Sequence, residues 1–290
     1  MTASALPRVS TRRRNADRMM RSLLLAATIL ALIPLVLILY FLLKKGLSTL
    51  TGSGFFTTDP NGNFFGNPGG IRSALLGTLE IVGLATLIAV PIGISVALYL
   101  TEYGKESRFA NVIRYFVDVM TGVPSIVFGL FIYIVLVISK IGGAFTGWKG
   151  AVAVALLMLP IVVRSAEVVL LLVPASLREA ALALGAPRWR VIARVVLPTS
   201  LSGLVTGSLL AVARGIGETA PLLFTTAGAF ALTGSLGQQM NALPLQIYND
   251  IQSPRNAIID RAWGAGLTLV LLVLVLNVIA RIISRRSRMA

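Results

Sequence analysis

Between Glu179 and Pro198 the chain reads EAALALGAPRWRVIARVVLP, a short charged stretch set between two long apolar runs. Ala180 to Leu184 are strong helix formers. Gly185 suits the position just past a helix end, where a positive φ is needed. Pro187 fits the first turn of a second short helix. The stretch therefore predicts helix, sharp turn, helix, held against a membrane by its apolar flanks. Arg178, Glu179, Arg188, Arg190 and Arg194 lie in it or at its edge. An ordinary basic loop between spans would show no such spacing of Glu-Ala-Ala, glycine and Leu-Pro.

The membrane is read from composition. The chain of 290 residues is 56% hydrophobic and 13% charged. Its mean hydropathy of +0.85 is too high for a soluble globular domain. It contains no cysteine and no histidine. Disulfides, Cys/His metal sites and Cys or His catalysis are thereby excluded. A net charge of +15 could point to nucleic acid. The basic residues flank apolar runs instead, so no nucleic-acid partner is expected. The Arg12-Arg13-Arg14 run leads into an apolar segment that continues to Leu43. That is too long for a signal h-region and reads as a retained first span.

Six runs can each cross a bilayer as a helix: 20–43, 73–100, 115–138, 150–173, 200–226 and 263–283. In lipid the backbone must satisfy its own hydrogen bonds, so helix is the reading for each. The fold class is an all-α membrane protein with six transmembrane helices. Arginine and lysine cluster in the arm before residue 22, at Lys105, Arg108 and Arg114, around Gly185, and after Arg281. Fewer lie on the opposite side, at Lys44, Lys45, Arg72, Lys140, Lys149, Arg255 and Arg261. The positive-inside rule then places both termini and the Glu179 loop in the cytoplasm. Terminal arginines also suit contact with anionic membrane lipid. The outer segment 51–70 is rich in turn formers. The outer segment 228–262 has room for a short helix at the surface. Gly203, Gly207, Ala211 and Gly215 recur every four residues, a small-residue face for close helix packing.

Four charges stand out inside the apolar runs. Arg164 and Glu167 fall in the fourth run, Arg214 and Glu218 in the fifth, with each arginine near the middle. A charge at that depth costs at least about 2.5–3.5 kcal/mol and normally faces a partner or a wet cavity. Spacings of three and four residues put each glutamate on its arginine's helix face. The pairs are read either as packing contacts or as a polar path for an anion. Guanidinium suits the path, because it stays charged and grips oxyanions with a forked geometry. The glutamates would offer the arginines an alternative partner. Glu80 and Asp118 lie nearer run ends, where solvent is closer, and rank lower.

The full spacing from Glu179 to Pro198 resembles the EAA motif of ABC importer permeases, with Val195 where isoleucine is usual. Arg214-Gly-Ile-Gly-Glu218-Thr-Ala-Pro221-Leu-Leu-Phe224 and the stretch Asn241 to Tyr248 are similar to the phosphate permeases of the PstA family. The resemblance covers the chain from about Ile71 onward. It implies a type I importer permease fold and transport of inorganic phosphate. Its coupling loop spans 174–199, with Glu179, Ala180, Ala181 and Gly185 entering a cleft of a separate ATPase. It also implies a homologous permease partner (PstC-like), an ATPase dimer (PstB-like) and an extracytoplasmic phosphate-binding protein (PstS-like). Arg164 and Arg214 match arginines associated with the phosphate path. On this reading 1–19 is a basic arm, 20–43 the first span and 44–72 an outer loop. The permease core then occupies 73–283, and 284–290 is a basic tail.

No phosphate-binding P-loop occurs, nor a nucleophile with its base. The chain is expected to be no enzyme and to hold no cofactor. Its energy comes from a partner or an ion gradient. Rival readings are an importer of another oxyanion such as sulfate or molybdate, a gradient-driven anion carrier, and a non-transporting scaffold. A carrier would not need the EAA spacing, and a scaffold leaves the intramembrane Arg–Glu pairs unexplained.

Overall fold

The computed structural model describes residues 10–61, 66–105, 107–229, 231 and 234–286. Among them the chain forms helices joined by turns, with two isolated β-bridges. Helix α1 (Thr11–Leu50) starts at Ser10, whose side chain accepts a hydrogen bond from the Arg13 N–H. The basic segment from Thr11 is therefore helical, and residues 1–9 lie outside the described residues. With 40 residues, α1 is about 60 Å long, twice a hydrocarbon core of about 30 Å. Helix α2 (Arg72–Leu98) runs on into a π-helical turn at Tyr99–Tyr103.

The third apolar run is not one helix. Helix α3 (Arg108–Gly122) and helix α4 (Ser125–Ile132) meet at a bend of 104°. Val123 precedes Pro124 and is extended, with φ −74° and ψ 129°. A residue before proline is pushed out of the helical region by the ring. Gly122 ends the first helix at that same point. The expected straight span 115–138 is thus corrected to a broken pair. A π-helical turn, Tyr133–Val137, completes its second arm.

Helix α5 (Gly147–Leu171) is the most buried of the spans. It leads into helix α6 (Ala175–Ala183) and the four-residue helix α7 (Arg188–Val191). A π-helical turn at Ile192–Val196 joins α7 to helix α8 (Leu197–Ile216). The fifth run also breaks: Gly217 caps α8, and helix α9 (Ala220–Thr225) restarts with proline in its first turn. Helix α10 (Leu243–Ile251) precedes helix α11 (Asn256–Arg286). The expected surface helix in 228–262 is α10. It is sealed into the bundle on one face, with Leu243, Leu245, Gln246 and Asp250 buried. Among the described residues five helices are long and apolar enough to cross a membrane, and the bent pair, counted as one span, raises the number to six.

Helices α2, α5 and α8 form the centre. Ile81, Ala85, Val154, Met158, Val162 and Ala211 make one continuous cluster there. The approach of α8 to α5 depends on missing side chains. A Cβ on Gly203 would sit 2.5 Å from Val169 Cγ1, and one on Gly207 would sit 2.5 Å from Ser165 Oγ. The small-residue face is therefore a packing seam. A second cluster, with Ala97, Leu170, Val173, Val191 and Val196, joins the α6–α7 turn to the spans. Helices α1 and α11 run antiparallel, since Gly46 meets Leu267 while Thr49 Oγ1 donates to Asp260 O. The start of α1 and the end of α11 consequently lie at the α6 end of the bundle.

Candidate functional site

Arg164, past the middle of α5, is held by carboxylates on two elements. Its Nη1 donates to Glu167 Oε2 at 2.8 Å. Its Nε donates to Asp118 Oδ1 on α3 at 2.9 Å, and Nη2 donates to the same oxygen. Glu167 is shared, because Arg114 Nε donates to its other oxygen at 2.8 Å. Arg114 is further fixed by the carbonyls of Leu100 and Lys105. Two arginines and two carboxylates thus form a neutral chain, Arg114–Glu167–Arg164–Asp118. Its ends differ: the Glu167 side chain is 7% exposed, that of Asp118 58%.

Beside Arg164 opens a groove of about 800 Å³ between α5, α8 and α11. Ser165, Ser202, Thr206 and Asn277 place polar groups along a wall that is otherwise apolar, with Val168, Val169, Leu210 and Ala213. A second hollow, bounded by Val173, Pro198, Thr199 and Ser202, continues it toward the α6 end. Arg214 lies one helical turn beyond Leu210, which lines the groove. It is exposed and pairs with Glu218 at 3.4 Å. Because Gly207 faces Ser165, Arg214 sits roughly 9 Å further along the bundle than Arg164, at about 1.5 Å per residue. The expectation that both arginines sit mid-span is corrected. Arg214 is close to the end of α8, because Gly217 stops the helix there.

The second site is the α6–α7 turn. Glu179 and Ala180 are exposed and Ala181 is half-buried. Gly185 has φ +79° and nothing within 4 Å of a Cβ placed on it. Arg178 anchors this turn to the bundle. Its Nη2 donates to Glu102 Oε1 at 2.9 Å and to Leu170 O at 2.8 Å, and its Nη1 donates to Val173 O at 2.6 Å. The π-helical turn at the foot of α2 is what presents Glu102.

Sequence reading ranks Asp118 low and passes over Glu102. Asp118 and Glu102 lie 46 and 76 positions from their arginines, so no local spacing ties them. Lys149 and Arg261 read as outer solvent charges, but both are buried. Lys149 Nζ donates to the carbonyls of Leu136, Gly143 and Ala144. Arg261 holds Asp250 through two nitrogens, at 2.7 and 2.8 Å, and also meets Pro68 O. Among the described residues no group of three His, Cys, Asp or Glu side chains gathers to hold a metal ion.

The family described as binding-protein-dependent transport system inner membrane component matches residues 89–289. The phosphate transport system permease protein PstA of Haemophilus influenzae is 42% identical, over 95% of this chain and 96% of that protein. The phosphate transport system permease protein PstA 1 of Mycobacterium tuberculosis is 40% identical, over 97% and 92%. Among solved structures, a bacterial alginate ABC transporter in complex with an alginate pentasaccharide-bound periplasmic protein aligns with a TM-score of 0.65 at 16% identity. The alignment spans 95% of this chain and 96% of that one. An inward-facing MetNI methionine ABC transporter aligns with a TM-score of 0.62 at 21% identity, over 75% and 95%. These two likenesses concern the fold.

Proposed function

The chain belongs to the PstA family of phosphate transport permeases, and on that premise we propose how its charged groups move an anion. It is the multi-pass inner-membrane permease subunit of an ABC importer of inorganic phosphate, and is not itself an enzyme. It works with ABC partners, an ATPase and a binding protein. In finer terms these are a PstB-like ATPase dimer, a PstC-like second permease and a PstS-like phosphate-binding protein.

The anion path runs along the α5–α8–α11 groove, from Arg214 to Arg164. The single observation that carries this reading is that both arginines face the open side of the bundle and not its core. Phosphate carries between one and two negative charges near neutral pH and needs a compensating field where the dielectric is low. Two arginines at successive depths supply that field in steps, so no one position becomes a deep trap. The second permease closes the groove. Glu167 and Glu218 keep each guanidinium paired when no anion is present.

Coupling enters through Glu179, Ala180, Ala181 and Gly185. The exposed, small-surfaced α6 and the open space around Gly185 support docking into an ATPase cleft. The basic clusters support a cytoplasmic place for this turn and both termini. Since α6 and α7 bridge α5 and α8, a push on the turn reaches both arginine-bearing helices. Closure of the ATPase dimer on ATP would therefore reorient the groove around its anion.

Arg214→Gln tests the path in the complete transporter. Phosphate uptake should be lost while the complex assembles and hydrolyses ATP. Replacing Arg214 and Glu218 together by apolar residues of matching size separates path from packing, since removing both partners strands neither charge. Near-normal uptake in that double variant would overturn the path. Gly185→Trp tests coupling. The bundle should assemble with ATP hydrolysis no longer linked to uptake, and normal uptake would remove the docking role.

A further inference from the structure

We infer that Asp118 is a stand-in for the transported anion, occupying the face of Arg164 that phosphate must take. The inference rests on the path proposed above and adds a residue to it. Guanidinium grips oxyanions best with two parallel N–H groups. In Arg164 the Nε and Nη2 groups make such an edge, and Asp118 Oδ1 fills it. The third nitrogen, Nη1, donates to Glu167.

Burial decides which carboxylate yields. Glu167 is almost wholly enclosed and bonded to two arginines, so removing it would strand buried charge. Asp118 is more than half exposed on this chain and, among the described residues, is bonded to one arginine where Glu167 is bonded to two, so less is lost when it leaves. No helix need move to release it. Arg114, one turn earlier on α3, stays fixed by Glu167 and by the carbonyls of Leu100 and Lys105. A change of side-chain rotamer at Asp118 is enough to clear the edge of Arg164. That edge then takes phosphate while Glu167 continues to orient the guanidinium. When the anion leaves, Asp118 returns and the four-group chain is neutral again. The same carboxylate repels any second anion approaching the occupied site.

The test uses the complex of this chain, its partner permease and its ATPase in detergent, without the binding protein. Equilibrium binding of radiolabelled inorganic phosphate is measured. Asp118→Asn should bind phosphate about fivefold more tightly than the parent, the scale of one exposed ion pair. Asp118→Glu restores the carboxylate and should stay near the parent value. Equal or weaker binding by an assembled Asp118→Asn complex overturns the stand-in role. Loss of assembly in both Asp118→Asn and Asp118→Ala also overturns it, by making the residue a structural support. Arg164→Gln isolates the underlying path reading: phosphate binding that survives there sinks the path itself, whatever Asp118 does.

Discussion

Arg261 and Arg164 each sit in an apolar helix and each grip an aspartate, yet they occupy opposite kinds of place. Arg261 is 3% exposed and Asp250 6%, and the pair is closed over by Pro68, Gln246 and the start of α11. Arg164 is 35% exposed beside a groove, and its aspartate is more exposed still. A charge on a spanning helix is therefore not by itself the mark of a transport site. The mark is a guanidinium that remains reachable after its partners are counted. The bundle's arginines grade along this scale. Arg178 is 18% exposed, Arg114 27% and Arg214 56%.

The grading sorts the effects of substitution, with damage to folding falling as exposure rises. Arg261→Gln should do most, because Asp250 is left buried without a counter-charge at a cost of about 3–5 kcal/mol. The expected readout is loss of intact permease from membranes and a large drop in Tm. An unchanged Tm would break the comparison at its sealed end. Arg178→Gln comes next. It leaves two carbonyls and Glu102 short of a donor, about 1–3 kcal/mol, but only at the foot of the bundle. The complex should assemble, with less phosphate moved per ATP hydrolysed. Normal stoichiometry would show that Arg178 does not stiffen the α6 connection. Arg214→Lys should disturb folding least. It keeps the charge and loses the fork, so uptake should fall to an intermediate level with assembly unchanged. A stability loss matching that of Arg261→Gln would show that exposure is not the sorting variable.

The parts legible in the sequence are those that local spacing controls. Gly185 and Pro187 fix the turn between α6 and α7 through backbone preference alone, and the structure has a positive φ at that glycine. Arg164 with Glu167, and Arg214 with Glu218, are pairs that helix periodicity puts within reach. The breaks at 122–124 and 217–219 were less legible, because hydropathy integrates over a window and passes across a Gly-Val-Pro or a Gly-Glu-Thr without change. Asp118 and Glu102 were hidden for a different reason. Their arginines come from other helices, and only the packing of α3 and α2 against α5 brings them together. Lys149 looked like a loop charge because its need, the carbonyls of Leu136, Gly143 and Ala144, is gathered only by the fold.

The long first helix has a consequence for how the protein is made. Within this chain α1 packs chiefly on α11, through Leu42 and Gly46 near its far end. Helix α1 therefore meets its main neighbour within this chain only when α11 emerges. At about 5–20 residues per second, that leaves it waiting for about 10–40 s. During the wait its apolar surface faces lipid or other chains, and its tenure in the bilayer depends on its own apolar side chains. Nascent α1 is thus the segment most open to capture by insertion machinery or by a partner subunit before the ribosome has finished.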